Sequence, residues 1–205
     1  MKFFWAPKTV ALASHIALEE AGADYEPVRL NFAGNDQRKP DYLAINPKGR
    51  VPALATDRGI LTETPAILAY VAQAYPDAKL APLADAFAFA RIQAFTSYLC
   101  STVHVNHAHK LRGARWSDDV EAHESMRRKV AQNMTDCFGL IEREMFEGPW
   151  IAGQDYSIAD PYFFTVGLWL EGDGVDTTLF PQTMDHRKRM RDRAAVQRTE
   201  AIQAA

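Results

Sequence analysis

The sequence predicts an α/β domain followed by an all-α domain. Three observations support this division: strand and helix patterns alternate over residues 1–75, residues 76–84 contain prolines without a sustained period, and only helical periods follow. A chain of 205 residues is long enough for two such units. We therefore predict one domain over 1–75, a linker over 76–84 and a second domain over 85–205.

The first domain opens with a short strand and a helix. Lys2–Ala6 is an apolar, aromatic run that is typical of a strand. Thr9 then offers a helix N-cap, Val10–Ala21 has a helical composition, and Gly22 marks the stop. Tyr25–Phe32 has β-branched and aromatic content after a glycine-containing turn, which predicts a second strand.

The rest of the first domain contains a short helix, a hairpin and a closing helix. After a polar loop, Pro40–Ala44 has the composition of a helical turn. Two short strands, Val51–Ala55 and Gly59–Thr62, flank an Asp-Arg-Gly turn that suits a tight hairpin. Thr64–Ala74 spaces its branched apolar residues as a helix packed on a sheet does. The predicted order is βαβαββα.

The second domain is predicted to be helical throughout. Its first helix carries one apolar stripe with a spacing of three or four residues, made of Phe89, Ile92, Phe95, Leu99 and Val103. Val120–Met145 continues the helical pattern until a Gly-Pro pair ends it. The spacing of Ser157 and Asp160 is that of a capping box, so we assign them to folding rather than to chemistry. Met184–Ala201 is predicted to be a last, very polar helix.

Composition excludes several classes of protein. The chain is 47% hydrophobic and 24% charged, as ordinary globular proteins are. Its net charge of -3 gives no overall attraction to nucleic acid or to anionic membranes. Its two cysteines, Cys100 and Cys137, are too few for a disulfide scaffold, which favours a reducing compartment. Both lie on helical stripes and are predicted to be buried small hydrophobic residues.

The N-terminal apolar run is too short for a secretory signal. Pro7 and Lys8 interrupt it, whereas a signal core needs about 7–15 residues. Tyr162–Leu170 is half the length of a membrane span and contains Thr and Gly. We therefore expect a cytoplasmic protein with neither a membrane nor a nucleic acid as partner. The basic run Arg187–Arg193 is interrupted by acidic residues and is predicted to be a solvated face.

A histidine cluster marks the long helix of the second domain. Helical spacing places His104 and His107 on one face and turns His109 away. A metal site needs more converging ligands, and no acidic residue follows until Asp118, so no metal is expected. Without a metal, these residues would be polar groups that face a water-filled cleft between the domains.

Two segments and the domain order resemble the soluble glutathione transferase superfamily. Asn46–Leu54 reads NPKGRVPAL, and Leu61–Ile67 reads LTETPAI; both are similar to the glutathione-binding segments of that family. Ser157–Asp160 resembles its C-terminal capping box, while Met1–Phe4 and Ser14–Gly22 look most like bacterial beta-class members. The resemblance covers the whole chain and implies a thioredoxin-like N-terminal domain and an all-helical C-terminal domain.

The resemblance implies a set of residues that bind glutathione. Val51 would precede a cis Pro52 and pair its main chain with the extended peptide, although a trans proline at a strand end is the common alternative. Thr64 would bind a carboxylate at a helix start, while Glu63 would bind the ammonium group. Alternatively, Thr64 is only an N-cap and Glu63 a solvated acid. Arg50 would contact the other carboxylate, or is a plain surface arginine.

The catalytic position departs from the family pattern. Beta-class members carry a cysteine just after the first strand, and Val10 stands there in this chain. Thr9 is the hydroxyl left in that segment, so it is predicted to partner the glutathione sulfur, with simple helix capping as the alternative. His104 aligns with a beta-class histidine that faces the sulfur, and Asn106 or His107 would line the pocket for the second substrate.

The implied function is a homodimeric transferase with glutathione as co-substrate. It would ionise the glutathione thiol and add it to a small electrophile, which we expect to be hydrophobic. Phe87 and Phe89 at the start of the long helix are candidates for the dimer interface. Because the usual Cys, Ser and Tyr are absent from the catalytic segment, a glutathione-binding or scaffold protein with little or no transferase activity is the alternative.

Overall fold

A four-stranded mixed sheet forms the first half of the computed structural model, which describes residues 1–204. The strands are β1 (Lys2–Trp5), β2 (Glu26–Arg29), β3 (Ala53–Thr56) and β4 (Gly59–Thr62), in the spatial order β2-β1-β3-β4. Three helices accompany them: α1 (Ala11–Glu20), α2 (Pro40–Ile45) and α3 (Thr64–Ala74). The predicted βαβαββα order is confirmed.

The register of the sheet brings three chain segments to one edge. β1 runs parallel to β2 and antiparallel to β3, and Phe4 lies opposite Ala53. Ala53 in turn lies opposite Thr62 across the β3–β4 hairpin. The end of β1, the start of β3 and the end of β4 therefore meet, and the turns attached to them lie side by side. This edge carries the sequence motifs.

The second half is helical, and one long helix passes through it. Asp85 caps α4 (Ala86–Tyr98) by accepting hydrogen bonds from the amides of Phe87 at 2.9 Å and Ala88 at 3.0 Å. The helix continues through a π-helical turn, Leu99–Val103, into α5 (His104–Ala108). Such turns are frequent at functional sites because they re-aim the side chains that follow.

Four further helices complete the chain. They are α6 (Val120–Leu140), α7 (Ala159–Gly167), α8 (Pro181–Arg191) and α9 (Ala194–Ala204). The buried core is continuous across both halves: Phe3 of β1, Ile92 of α4 and Phe163 of α7 belong to the same cluster of packed side chains. The fold class that the sequence predicted, an α/β half followed by an all-α half, is confirmed.

The single polar helix predicted over 184–201 is wrong, because the chain breaks between Arg191 and Ala194. Met190 before the break and Val196 after it pack in one small core with Ile16 and Phe164. Residues six positions apart lie on different faces of an uninterrupted helix, so the break is what lets both side chains reach the same core.

The basic run is also less exposed than predicted. Arg187 is only 7% exposed, and its guanidinium donates to Glu171 at 2.7 Å. Arg193 forms an ion pair with Glu20 of α1, and its guanidinium carbon lies 3.7 Å from the ring centroid of Tyr156. A solvated face is therefore the wrong description of these two residues, because each meets a carboxylate contributed by a distant segment.

Ser157 and Asp160 cap α7 as the sequence predicts. Asp160 Oδ2 accepts from the amide of Ser157 at 2.7 Å, and the amide of Ala159 donates to Ser157 Oγ at 3.3 Å. The second carboxylate oxygen accepts from the Ile151 amide at 2.9 Å and lies 3.0 Å from His186 Nε2. The buried Asp160 thus also ties the preceding loop and α8 to α7.

No helix within residues 1–204 is both long and apolar enough to cross a membrane.

Candidate functional site

A cavity of about 280 Å³, termed the first cavity, opens at the sheet edge where the motifs meet. Its walls come from the first half of the chain and from the long helix of the second half. Six of the residues singled out by sequence line it: Arg50, Val51, Pro52, Glu63, Thr64 and His104. The fold therefore brings together residues that are up to 54 positions apart in the chain.

The loop before β3 is held rigidly from inside. The buried Asn46 side chain donates to the carbonyl of Arg50 at 2.7 Å, and the Tyr42 hydroxyl donates to the same carbonyl at 2.6 Å. Gly49 has a φ of 59°, and a Cβ there would lie 2.8 Å from the carbonyl oxygen of Gln37. Only glycine fits this position, which fixes where Arg50 leaves the loop.

Val51 presents main-chain groups to the first cavity. The Val51-Pro52 peptide bond is cis, as the resemblance implied. Among residues 1–204, neither the amide nor the carbonyl of Val51 has a hydrogen-bond partner. A main-chain donor and acceptor that are left open beside a strand can accept an extended peptide as an additional strand.

Glu63 and Thr64 lie at the start of α3. Glu63 has a φ of 72°, which is unusual for a residue other than glycine and is typical of functional sites. Thr64 is 4% exposed, and within the described part of the chain its hydroxyl has no hydrogen-bond partner. The free amides of a helix start, together with this hydroxyl, favour an anion.

Lys48 is a member of the site that the sequence did not reveal. Its ammonium group forms an ion pair with the Glu63 carboxylate and donates to Thr62 Oγ1 at 2.7 Å. Lys48 and Glu63 are 15 positions apart in the chain and are brought together by the sheet. The spacing of residues within one motif therefore does not predict this ion pair. Glu63 is thus partly neutralised before any ligand binds.

Thr9 is engaged in local hydrogen bonds. Its hydroxyl donates to the carbonyl of Ala6 at 2.7 Å and accepts from the amide of Ala11 at 3.4 Å. These contacts are those of a residue that caps the start of α1. Val10, by contrast, borders the first cavity, and its amide has no acceptor among residues 1–204.

His104 is neutral at neutral pH. Its pKa is lowered to about 4, first by burial and then by its neighbours His107, Arg115, Arg112 and Arg50, which act in the same direction. A neutral imidazole offers one N–H donor and one acceptor. His104 can therefore hydrogen-bond a ligand without adding charge.

A second cavity of about 260 Å³ adjoins the first. The two share a boundary made of Val10, Arg50, Val51, His104, Ala108 and Arg115. Thr9 and His107 line only the second cavity. The His107 ring stacks on Trp169 with centroids 4.1 Å apart, and its Nδ1 lies 2.7 Å from the buried Asp173 carboxylate.

Asn106, the other candidate for a second-substrate pocket, turns away from both cavities. Its side-chain oxygen accepts from Asn133 of α6 at 2.9 Å, and its Nδ2 lies 3.5 Å from Cys137 Sγ. On the long helix it follows His104 by two positions, which places it on a different face. We therefore do not carry Asn106 into the candidate site.

Cys100 also differs from its predicted role. Cys137 is buried as expected, but Cys100 is only partly buried and lines the first cavity beside Tyr162. Burial raises the pKa of the Cys100 thiol, and the nearby Glu63 carboxylate acts in the same direction. The thiol is thus protonated at neutral pH and forms part of the wall.

A larger cavity of about 920 Å³ lies away from this edge, between residues 78–95 and residues 144–157. Two of its arginines already have partners, since Arg91 pairs with Glu147 and Arg193 with Glu20. Within residues 1–204, no three His, Cys, Asp or Glu side chains converge as a metal site requires.

Comparison with known proteins identifies relatives that span almost the whole chain. A family model described as the N-terminal domain of glutathione S-transferase matches residues 1–73. The glutathione S-transferase GstA of Escherichia coli O157:H7 is 32% identical over 201 residues, which are 94% of this chain and 96% of that protein. A maleylacetoacetate isomerase of Pseudomonas aeruginosa is 30% identical over 172 residues, 82% of this chain and 79% of that protein.

A solved structure shares the same architecture in detail. The structure of a glutathione transferase homologue from Sulfitobacter, with bound glutathione, superposes with a TM-score of 0.95 at 46% identity. The match covers 98% of this chain and 97% of that one, so it includes the helical half as well as the sheet. From these likenesses, and from the motifs that line the first cavity, we conclude that the chain belongs to the glutathione S-transferase superfamily of transferase enzymes.

Proposed function

We propose that this protein binds glutathione in the first cavity and joins its sulfur to a small electrophile. One observation carries the proposal: an open main-chain segment, a free hydroxyl and an arginine converge on one cavity beside the start of α1. Each of these groups matches a different part of the tripeptide, and their order along the cavity follows from the sheet register.

The γ-glutamyl end of glutathione fits the start of α3. Its carboxylate would accept from the Thr64 hydroxyl and from the first free amides of the helix. Its ammonium group would lie by Glu63, which already pairs with Lys48 and is half exposed. We therefore expect Thr64 to contribute more to glutathione affinity than Glu63 does.

The remaining main chain of glutathione fits the loop before β3. The cysteinyl residue would exchange two hydrogen bonds with the amide and carbonyl of Val51, as an added strand does. The glycine carboxylate would bind the guanidinium of Arg50, which extends from the rigid loop. These contacts direct the thiol toward the boundary between the two cavities.

The thiolate would be stabilised at that boundary by two groups. The Val10 amide lies at the start of α1, where the helix dipole favours an anion. The neutral His104 imidazole adds an N–H donor from the second half of the chain. In this proposal Thr9 acts through the conformation of the turn, because its own proton is donated to Ala6.

The proposal includes a cytoplasmic homodimer. Phe87 is 76% exposed at the start of α4, while Phe89 is partly buried against the core of its own chain. An exposed aromatic side chain at a rigid helix start is suited to a pocket on a second copy. Sedimentation would detect the dimer, and Phe87→Ala should shift it toward monomer.

Calorimetry and a conjugation assay test the proposal together. Glutathione should bind, and titration of the bound thiol by its ultraviolet thiolate absorbance should give a pKa below that of free glutathione. Turnover of a panel of small electrophiles should follow. Absence of glutathione binding would refute the proposal. Glutathione binding without turnover would instead favour the scaffold alternative, which the missing Cys, Ser or Tyr at the sulfur position supports.

A further inference from the structure

The second cavity has a strongly one-sided charge. Six cationic side chains line it, and no carboxylate side chain is among its lining residues. The six are Lys8, Arg38, Arg50, Lys110, Arg112 and Arg115, of which Lys110 pairs with the buried Asp173 carboxylate at 3.5 Å. Since the whole chain has a net charge of -3, an average surface of this protein would be slightly acidic. The concentration of positive charge is therefore a local feature of this cavity.

The arginines of this cavity have no anionic partner. Within residues 1–204, Arg38, Arg50, Arg112 and Arg115 form no ion pair. Elsewhere in the chain arginines commonly do: Arg91, Arg127, Arg187, Arg189, Arg193 and Arg198 each pair with a carboxylate. Like charges that are gathered without partners repel one another, so an anionic ligand would be strongly attracted to them.

The four arginines converge from three separate segments. Arg38 precedes α2, Arg50 precedes β3, and Arg112 and Arg115 follow α5. The pKa of Arg115 is lowered to about 10, first by partial burial and then by the positive charges of Arg112, Arg50 and Arg38. Arginines from both halves of the chain thus raise the positive electrostatic potential around Arg115.

Glutathione alone does not use all of this charge. Its γ-glutamyl carboxylate is accounted for at the start of α3, which leaves one carboxylate and the thiolate. Arg50 and Arg115 border both cavities and can serve these two groups. Arg38, Arg112 and Lys8 line only the second cavity, so the cations there outnumber the anionic groups that glutathione has left.

Aromatic side chains form part of the remaining wall of the second cavity. Trp169 forms an aromatic wall with the His107 ring, Phe32 forms another wall, and Leu111 is 81% exposed at the edge. Resting on the proposed glutathione transferase function, we propose that the second substrate is an electrophile with a small planar body and a carboxylate. Arg38 and Arg112 bind the carboxylate, while Trp169 and Phe32 contact the body. The proposal thus adds a negative charge to the hydrophobic electrophile that the sequence analysis predicts.

A matched pair of glutathione conjugates tests the proposal without requiring turnover. S-(4-carboxy-2-nitrophenyl)glutathione and S-(4-carbamoyl-2-nitrophenyl)glutathione have nearly the same shape and differ in one negative charge. By calorimetry, the wild-type protein should bind the carboxylate conjugate at least about tenfold more tightly than the carboxamide, or about 1.4 kcal/mol. This preference should shrink as salt is raised, because ions screen exposed charges.

Arginine variants locate the origin of the preference. Arg112→Gln and Arg38→Gln should each reduce the ratio of the two affinities severalfold. Arg58→Gln is the matched control, since Arg58 is exposed in the β3–β4 turn and lines neither cavity. It should keep the wild-type ratio, and a loss of the ratio in this variant as well would count against a local site.

Titration with glutathione itself separates this inference from the proposed function. If glutathione binds but the two conjugates bind equally, or if Arg112→Gln and Arg38→Gln weaken both equally, the carboxylate site is refuted and the transferase proposal stands. If glutathione does not bind, the transferase proposal is refuted, and the inference that rests on it is refuted with it. If glutathione binds and neither conjugate does, the second cavity does not receive the aryl group, and the inference is overturned.

Discussion

The two adjoining cavities offer different kinds of groups to a ligand. Besides Arg50 and Arg115, which line both, the first cavity offers main-chain groups and short side chains, namely the Val51 amide and carbonyl, the start of α3 and the Thr64 hydroxyl. The second offers long arginine and lysine side chains from both halves of the chain. We therefore expect backbone geometry to control the proposed binding in the first cavity, and charge to control it in the second.

This difference has physical consequences that can be measured. Donors on a rigid backbone are held in place before the ligand arrives, so little entropy is lost when they bind. Exposed arginines lose rotamer freedom on binding, and salt screens them. Changes of backbone should therefore damage the first cavity most, while changes of ionic strength should affect the second cavity most.

Gly49→Ala should have the largest effect, because it distorts the backbone that shapes the first cavity. A left-handed conformation costs a residue with a Cβ about 1–2 kcal/mol, and here the Cβ would also lie 2.8 Å from the Gln37 carbonyl. The loop must move, and Arg50 and Val51 move with it. We expect glutathione affinity by calorimetry to fall about 100-fold, which corresponds to roughly 2.7 kcal/mol.

Gly22→Ala is the matched control for this change. Gly22 has almost the same φ, 60°, but a Cβ there would meet no atom within 4 Å. It lies just after α1 and lines neither cavity. The variant should lose stability to a similar backbone strain and keep wild-type glutathione affinity. Equal loss of affinity in both variants would mean that general destabilisation, and not the loop, explains the result.

Thr64→Val should have the next largest effect. The substitution keeps the shape of the buried side chain but removes the hydroxyl that faces the first cavity. A hydrogen bond to a charged group contributes about 1.5–3 kcal/mol, so glutathione should bind at least about tenfold more weakly. The thermal midpoint should change little, since the hydroxyl has no partner within residues 1–204. Unchanged affinity would remove the γ-glutamyl carboxylate from this position.

The contrast also explains what the sequence could predict. The first cavity depends on two short contiguous motifs, NPKGRVPAL and LTETPAI, and their resemblance to the glutathione-binding segments of the family is what groups Arg50, Val51, Glu63 and Thr64 in one predicted site. Even so, the Lys48–Glu63 ion pair was out of reach, because it depends on the β3–β4 register.

The arginines found only by the structure left no local signal. Arg38 comes from the loop before α2, Arg112 and Arg115 follow α5, and nothing in either segment predicts a binding site. Only the packing of the long helix against the sheet domain brings them together. The same reason explains the helix break near Asp192 and the buried Arg187. Their burial depends on contacts with residues that are distant in the sequence, and a local hydrophobic period does not predict such contacts.

Thr9→Val should have a small effect on glutathione and a measurable effect on stability. The hydroxyl caps α1 through Ala6 and Ala11, and loss of a cap costs about 1 kcal/mol in the free energy of unfolding. Because its proton is already donated, the pKa of the bound glutathione thiol should stay within about 0.3 of the wild-type value. His104→Asn should raise that thiol pKa. If Thr9→Val raised the thiol pKa and His104→Asn did not, Thr9 would be the hydrogen-bond partner of the sulfur.

The last prediction concerns the pKa of His104, which lies on the boundary between the two cavities. Its pKa is lowered to about 4, first by burial and then by neighbours that include Arg115. As pH falls from about 6.5 toward 4, the unfolded chain binds a proton at this histidine and the folded protein does not, so the free energy of unfolding decreases over that window. Removing a positive neighbour should therefore make His104 easier to protonate.

Arg115→Gln is expected to raise the pKa of His104 by about half a unit, which equals roughly 0.7 kcal/mol. An NMR titration of the ring protons would measure it, with Arg58→Gln as a control that leaves the pKa unchanged. High salt should raise the His104 pKa of the wild type in the same direction, because it screens the arginines. If neither Arg115→Gln nor salt moved the pKa, burial alone would account for the neutral imidazole. The charge of the second cavity would then not reach the proposed sulfur position.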